Sequence, residues 1–177
     1  MKMRIGLVGC GNISDVYLTN APLFEDIEFV AVSGRNVESA KRTGERYELE
    51  VRSIDWLITS NDIDIVLNLT IPSVHAPISL AAIEAGKHLY TEKPLATNLV
   101  DGKGIVAAAA AKGLRVGSAP DTVLGSGIQT ARAAIDRGDI GRPLIGIASV
   151  LSHGMEAWHP NPVFSTTLTK IEPTGPR

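Results

Sequence analysis

Short apolar runs alternate along the chain with stretches whose apolar residues recur at helical spacing, and the alternation holds to about residue 117. The runs at 4–8, 28–33, 63–69, 88–91 and 114–116 are rich in Val, Ile and Leu, are bounded by Gly, Pro or Asn, and predict strands. Between them, 12–20, 37–46, 73–85 and 97–112 predict helices. The last contains the alanine run 107–111 and stops at Gly113, with Thr97 as its expected N-cap; Ser73 is the expected N-cap of the helix before it. Strands that are apolar throughout imply burial on both faces of a parallel sheet, and helices between them imply a doubly wound α/β fold. Residues 47–62 carry no assignment.

After Gly117 the pattern changes. A helix is expected at 125–138 and one strand at 144–151, followed by His153-Gly154-Met155-Glu156-Ala157-Trp158-His159-Pro160-Asn161-Pro162. Four prolines in the last 18 residues argue against a regular terminal element. The expected organisation is a doubly wound parallel-sheet domain at 1–117, the start of an incomplete α+β second domain at 118–164, and a divergent tail at 165–177.

The 177 residues are 44% hydrophobic and 20% charged, and 17 basic against 19 acidic residues give a net charge of −2. No cationic excess exists to neutralise phosphates, so nucleic acid and anionic membranes are not expected partners. No apolar run reaches about 18 residues, and the first residues lack the apolar core and cleavage site of a signal peptide; a soluble, cytoplasmic protein is the expectation. A lone cysteine, Cys10, excludes an intramolecular disulfide framework, and four histidines without a short cluster of further ligands give no metal signature.

The first strand runs into Gly9-Cys10-Gly11-Asn12-Ile13-Ser14 and then a helix. Gly9 permits a tight turn, Gly11 lets the backbone approach a pyrophosphate, and the helix start offers free N–H groups to phosphate oxygens. Ser14 replaces the third glycine of the dinucleotide fingerprint and is small enough for close helix–strand packing. About 20 residues on, an NAD site places an acid for the ribose 2′-hydroxyl. Here the stretch is Ala31-Val32-Ser33-Gly34-Arg35-Asn36, without an acid. Arg35 is suited to a 2′-phosphate with Ser33 donating a hydrogen bond, which favours NADP over NAD. The missing acid also counts against a methyltransferase of similar topology.

Four segments taken together, Gly9-Cys10-Gly11-Asn12-Ile13, Thr70-Ile71-Pro72 with His75, Ala85-Gly86-Lys87-His88, and Glu92-Lys93-Pro94, resemble the Gfo/Idh/MocA family of NAD(P)-dependent oxidoreductases over residues 3–163. The resemblance implies hydride transfer between a nicotinamide and a sugar, cyclitol or related polyol. It implies that Lys93 lies near the reacting hydroxyl or carbonyl, with a cis bond before Pro94, and that Glu92 contacts the nicotinamide ribose or orients Lys93. The cofactor-binding residues it implies are Gly9, Gly11, Asn12, Ile13, Thr70, Pro72, His75, Glu92, Lys93 and Pro94, to which the residue reading adds Ser33 and Arg35. From residues alone, the turn at Thr70–His75 reads equally well as the start of a helix. The lysine fits the chemistry: oxidising an alcohol by hydride loss requires loss of the hydroxyl proton, and an ammonium stabilises the developing alkoxide.

In the family, the second domain is a large open sheet that contacts substrate and, in many members, carries an Asp-x-x-x-His segment. Here only its opening is matched, and a truncated or shifted reading frame near 163–165 is the expectation. The strand at 144–151 would then lack partners and invite pairing with another chain, giving a homo-oligomer. His153 and His159 are candidate substrate residues of a longer protein. Two alternatives remain open: a non-catalytic dinucleotide-binding chain without a substrate pocket, and a nucleotide-sensing partner acting through the exposed edge.

Overall fold

β1 (Met3–Val8) is the centre of the fold, pairing in parallel with a strand on each side. A computed structural model describes residues 2–147, 149 and 151. α1 (Ser14–Asn20) and a short 3₁₀ turn lead to β2 (Ile27–Ser33), and α2 (Val37–Tyr47) leads to β3 (Glu50–Val51). α3 (Ile54–Thr59) precedes β4 (Ile65–Asn68), α4 (His75–Glu84) precedes β5 (His88–Thr91), and α5 (Leu99–Ala111) precedes β6 (Val116–Ser118). The sheet order is β3-β2-β1-β4-β5-β6, and every pairing is parallel. The doubly wound α/β expectation therefore holds.

The apolar strands are apolar because helices cover both faces. Ile5 and Leu7 of β1 join Leu18, Val32 and Leu67 in one buried cluster, while Val8 joins Leu57, Val66 and Ala82 in another. A third cluster, built on Ile83, Leu89 and Ile105, seats α4 and α5. Alternation along β1 is thus real but hidden, since both sets of side chains are buried.

Several boundaries differ from the expectations, each for a local reason. α1 starts at Ser14 rather than 12, because Ser14 turns back on Gly11, its amide and Oγ reaching the Gly11 carbonyl at 3.0 and 2.6 Å. Thr97 is not a cap: Asn98 Oδ1 accepts from the Asp101 amide at 2.9 Å. Nor is Ser73, which lies in a 3₁₀ turn, Pro72–Val74, ahead of α4. In 47–62 the structure holds β3 and α3, the latter capped by Ser53 Oγ on the Trp56 amide at 3.1 Å. β6 runs to Ser118, two residues beyond the expected strand end.

The chain divides into two compact units, the first ending at Pro120 and the second beginning at Asp121. In the second, α6 (Ser126–Asp136) has Gly125 at its N-cap and is followed by Gly138 at φ +79°, so the helix expected at 125–138 is present in shorter form. The strand expected at 144–151 is not formed at its described residues, where Leu144, Ile145, Ile147 and Leu151 are extensively exposed. A strand exists only through a paired neighbour, and no described residue pairs with this segment. The expectations for His153, His159 and the tail at 165–177 lie outside the described residues. No helix of the described residues is long and apolar enough to cross a membrane.

Candidate functional site

The strand order reverses between β1 and β4, and open α/β sheets bind ligands in the crevice that such a reversal leaves beyond the strands' C-terminal ends. β1 ends at Val8, and the chain turns through Gly9 at φ +109°, a conformation L side chains rarely adopt. Space imposes the same demand: a Cβ on Gly9 would sit 2.6 Å from the Leu69 carbonyl carbon and oxygen. The Gly9 amide donates to the Ser33 carbonyl at 2.8 Å, and the Leu69 amide donates to Val8 at 2.7 Å, so the loop is pinned between β2 and β4. A Cβ on Gly11, in contrast, would meet nothing within 4 Å. The loop therefore has a rigid stem at Gly9 and an open face at Gly11, where Asn12 and Ile13 are exposed. Those features fit a bound pyrophosphate.

Burial pushes the Cys10 thiol up, with a hydrogen bond involving Thr43 partly opposing it. The cradle thus carries no thiolate to repel phosphate at neutral pH.

At the end of β2, Ser33 is 4% exposed, and its Oγ makes no hydrogen bond among the described residues. Arg35 is exposed and forms no ion pair among the described residues. Asn36 caps α2 through the Ser39 amide at 3.0 Å, and Ser39 Oγ donates to the Cys10 carbonyl at 2.6 Å, which ties the turn holding Arg35 to the glycine loop.

β4 ends in a polar knot. Asn68, wholly buried, accepts through Oδ1 from Thr70 Oγ1 at 2.6 Å and donates through Nδ2 to Ser79 Oγ at 3.3 Å and to the His75 carbonyl at 3.2 Å. His75 is also wholly buried, with Nε2 2.9 Å from the Thr70 carbonyl and Nδ1 2.7 Å from the Pro94 carbonyl. Both ring nitrogens are taken up by backbone, which leaves none for a ligand. His75 is therefore a strut between the loop after β4 and the loop after β5. Pro72 is buried beside it, and Thr70 is half-buried at the crevice.

The Glu92-Lys93-Pro94 segment leaves β5 toward the same crevice. The Glu92 amide still donates to Asn68 at 2.9 Å, and the Lys93–Pro94 bond is cis, as the resemblance implies. Glu92 Oε1 accepts from the Tyr17 hydroxyl at 2.9 Å, and Oε2 accepts from the Lys93 amide at 3.1 Å. Tyr17 belongs to α1, so the helix that closes the glycine loop also holds the carboxylate beside Lys93. The Lys93 ammonium is exposed and makes no ion pair or hydrogen bond among the described residues.

The structure thus gathers the glycine loop, Thr70 and the Glu92–Pro94 segment around one crevice, with Ser33 and Arg35 at the end of neighbouring β2. Tyr17, Asn68 and Ser79 were missed by sequence reasoning. Only Asn68 left a signal, as a polar residue closing the apolar run Ile65-Val66-Leu67. Among the described residues no three His, Cys, Asp or Glu side chains are grouped to hold a metal.

Residues 3–119 match the model of an oxidoreductase family with an NAD-binding Rossmann fold, Gfo/Idh/MocA. The 1,5-anhydro-D-fructose reductase of Ensifer adhaerens is 33% identical over 143 residues, covering 80% of this chain and 43% of the reductase. A dehydrogenase from Bordetella pertussis, solved with NADH and UDP-GlcNAcA, superposes with a TM-score of 0.75 at 28% identity, over 80% of this chain and 44% of that one. A 3-ketoreductase from Actinomadura kijaniata, solved with NADP and TDP-benzene, gives 0.72 at 26% identity, over 78% and 43%. The chain spans under half the length of these relatives.

Proposed function

The chain belongs to the Gfo/Idh/MocA oxidoreductase family, and on that premise we propose that it forms the dinucleotide-binding and proton-handling part of an oxidoreductase acting on a sugar, cyclitol or related polyol. One observation carries the reading: the glycine loop and the lysine loop meet at the ends of β1, β4 and β5, joined by the 2.9 Å bond from Tyr17 to Glu92. The relatives' sugar-derived substrates support the substrate class.

In this reading the backbone of Gly9 to Ile13 holds the pyrophosphate, and Thr70 and Pro72 border the groove between the two nucleotides. Ser33 and Arg35 hold the adenosine ribose. Arg35, without an ion pair among the described residues and with no acid in the stretch 31–36, favours a 2′-phosphate and so NADP over NAD. A nicotinamide bound there supplies the acceptor or donor for hydride. Lys93 stands beside the substrate oxygen: as the amine it takes the hydroxyl proton while hydride leaves the carbon, and the ammonium so formed stabilises the remaining alkoxide character. Glu92, fixed by Tyr17 and by the Lys93 amide, sets the direction in which Lys93 leaves the strand. The reading includes self-association through the second unit, supported by exposed Leu144, Ile145 and Ile147.

Lys93→Ala tests it. Dinucleotide affinity is expected to stay within about twofold, and turnover of a sugar or polyol to fall by roughly 10²–10⁴-fold. Unchanged turnover would remove Lys93 from the mechanism. Bound dinucleotide without turnover in the unaltered chain would leave a binding protein rather than a catalyst.

A further inference from the structure

Beside Arg35, a cleft of about 430 Å³ opens between the ends of β2 and β3, within the size range of small-molecule sites. Its lining is mixed: Val37, Ala40 and Ile54 are apolar, and Ser33, Arg52 and Asp55 are polar. Two observations mark it as built for a ligand. Ser33 is 96% buried, yet its Oγ has no partner among the described residues. Arg52 is held in place on its inner side: its backbone amide donates to Val32 at 3.0 Å, its guanidinium meets the Glu50 carboxylate at 2.8 Å, and its guanidinium carbon lies over the Trp56 ring, 5.1 Å from the centroid.

Glu50 already compensates the charge of Arg52, so what Arg52 offers the cleft is a planar, weakly hydrated cation rather than a free charge. Such a group packs against aromatic faces. The arrangement differs from that at Arg35, which has no carboxylate partner among the described residues and suits a phosphate. We propose that Arg52, backed by Trp56, stacks on the adenine base of the bound dinucleotide, while Arg35 takes the 2′-phosphate. The inference rests on the dinucleotide reading above and adds to it a specificity-determining residue for the base.

The discriminating variant is Arg52→Lys, which keeps the charge and loses the plane. Arg52 is about half-exposed, so its replacement leaves the fold intact, and circular dichroism checks this. With ADP-ribose as the probe in calorimetric titrations, Arg52→Ala and Arg52→Lys are both expected to bind about fivefold to thirtyfold more weakly than the unaltered chain. Binding by Arg52→Lys as tight as that of the unaltered chain would show that charge and not stacking matters, and would overturn the proposal. So would unchanged binding by Arg52→Ala. Failure of the unaltered chain to bind ADP-ribose would instead remove the dinucleotide reading, and this proposal with it.

Discussion

Gly9 is the residue on which the crevice depends most. Its φ of +109° and the 2.6 Å approach a Cβ would make to the Leu69 backbone act together, and neither can be relieved by turning a side chain. Gly9→Ala is therefore expected to destabilise the chain by roughly 3 kcal/mol or more. At Gly11, where a Cβ meets nothing, the same change is expected to leave stability nearly unaltered and to weaken dinucleotide binding. Thermal denaturation of the two variants reads the contrast, and equal midpoints would contradict it. At this scale the sequence was informative wherever a residue type is demanded by its own backbone or by its charge, as with Gly9, Gly11, Arg35 and Lys93. It was silent on Tyr17, Ser79 and Arg52. Tyr17 and Ser79 act through partners 75 and 11 positions away, brought near by elements whose packing no local pattern reveals, and Arg52 meets Trp56 only through the turn into α3.

At the scale of elements, β4 is fastened at both ends by different chemistry. Its last residue, Asn68, ties the crevice together. Just before its first residue, Asp64 accepts from the Arg4 guanidinium at 3.2 Å and from the Arg4 amide at 2.9 Å, which fastens β4 to β1. The Arg4 side-chain and backbone hydrogen bonds, partly opposed by desolvation, hold the Asp64 carboxyl below the usual carboxylate range. A carboxyl whose value is depressed on folding contributes stability above its unfolded value of about 3.9, and that contribution disappears as pH falls through the depressed folded value. Asp64→Asn is thus expected to lower the thermal midpoint at pH 7, with the gap closing below about pH 4. A gap that stays constant down to pH 2 would contradict this. Long elements such as α5 were legible, because its alanine run at 107–111 outweighs Gly102 and Gly104 over thirteen residues. β3 was not: two exposed residues form a strand only because β2 offers an unpaired edge beside them. The caps of α4 and α5 were misplaced by one residue or by a 3₁₀ turn, since Ser73, Thr97 and Asn98 are all acceptable caps until the loop geometry chooses.

For the whole molecule, the first unit contains the glycine loop, the polar knot at β4, the Glu92–Pro94 segment and the cleft at β2. All of the proposed cofactor and proton chemistry therefore rests within residues 1–120. The relatives are more than twice as long as the matched stretch, and substrate choice is not read from this unit. The central claim is that these residues hold a nicotinamide dinucleotide. Titrating the chain with NADPH and with NADH, following nicotinamide fluorescence, tests it most directly. The account predicts saturable binding of both, with NADPH tighter because Arg35 meets the 2′-phosphate. Equal affinities would keep the crevice and discard the assignment of Arg35, and binding of neither would contradict the account.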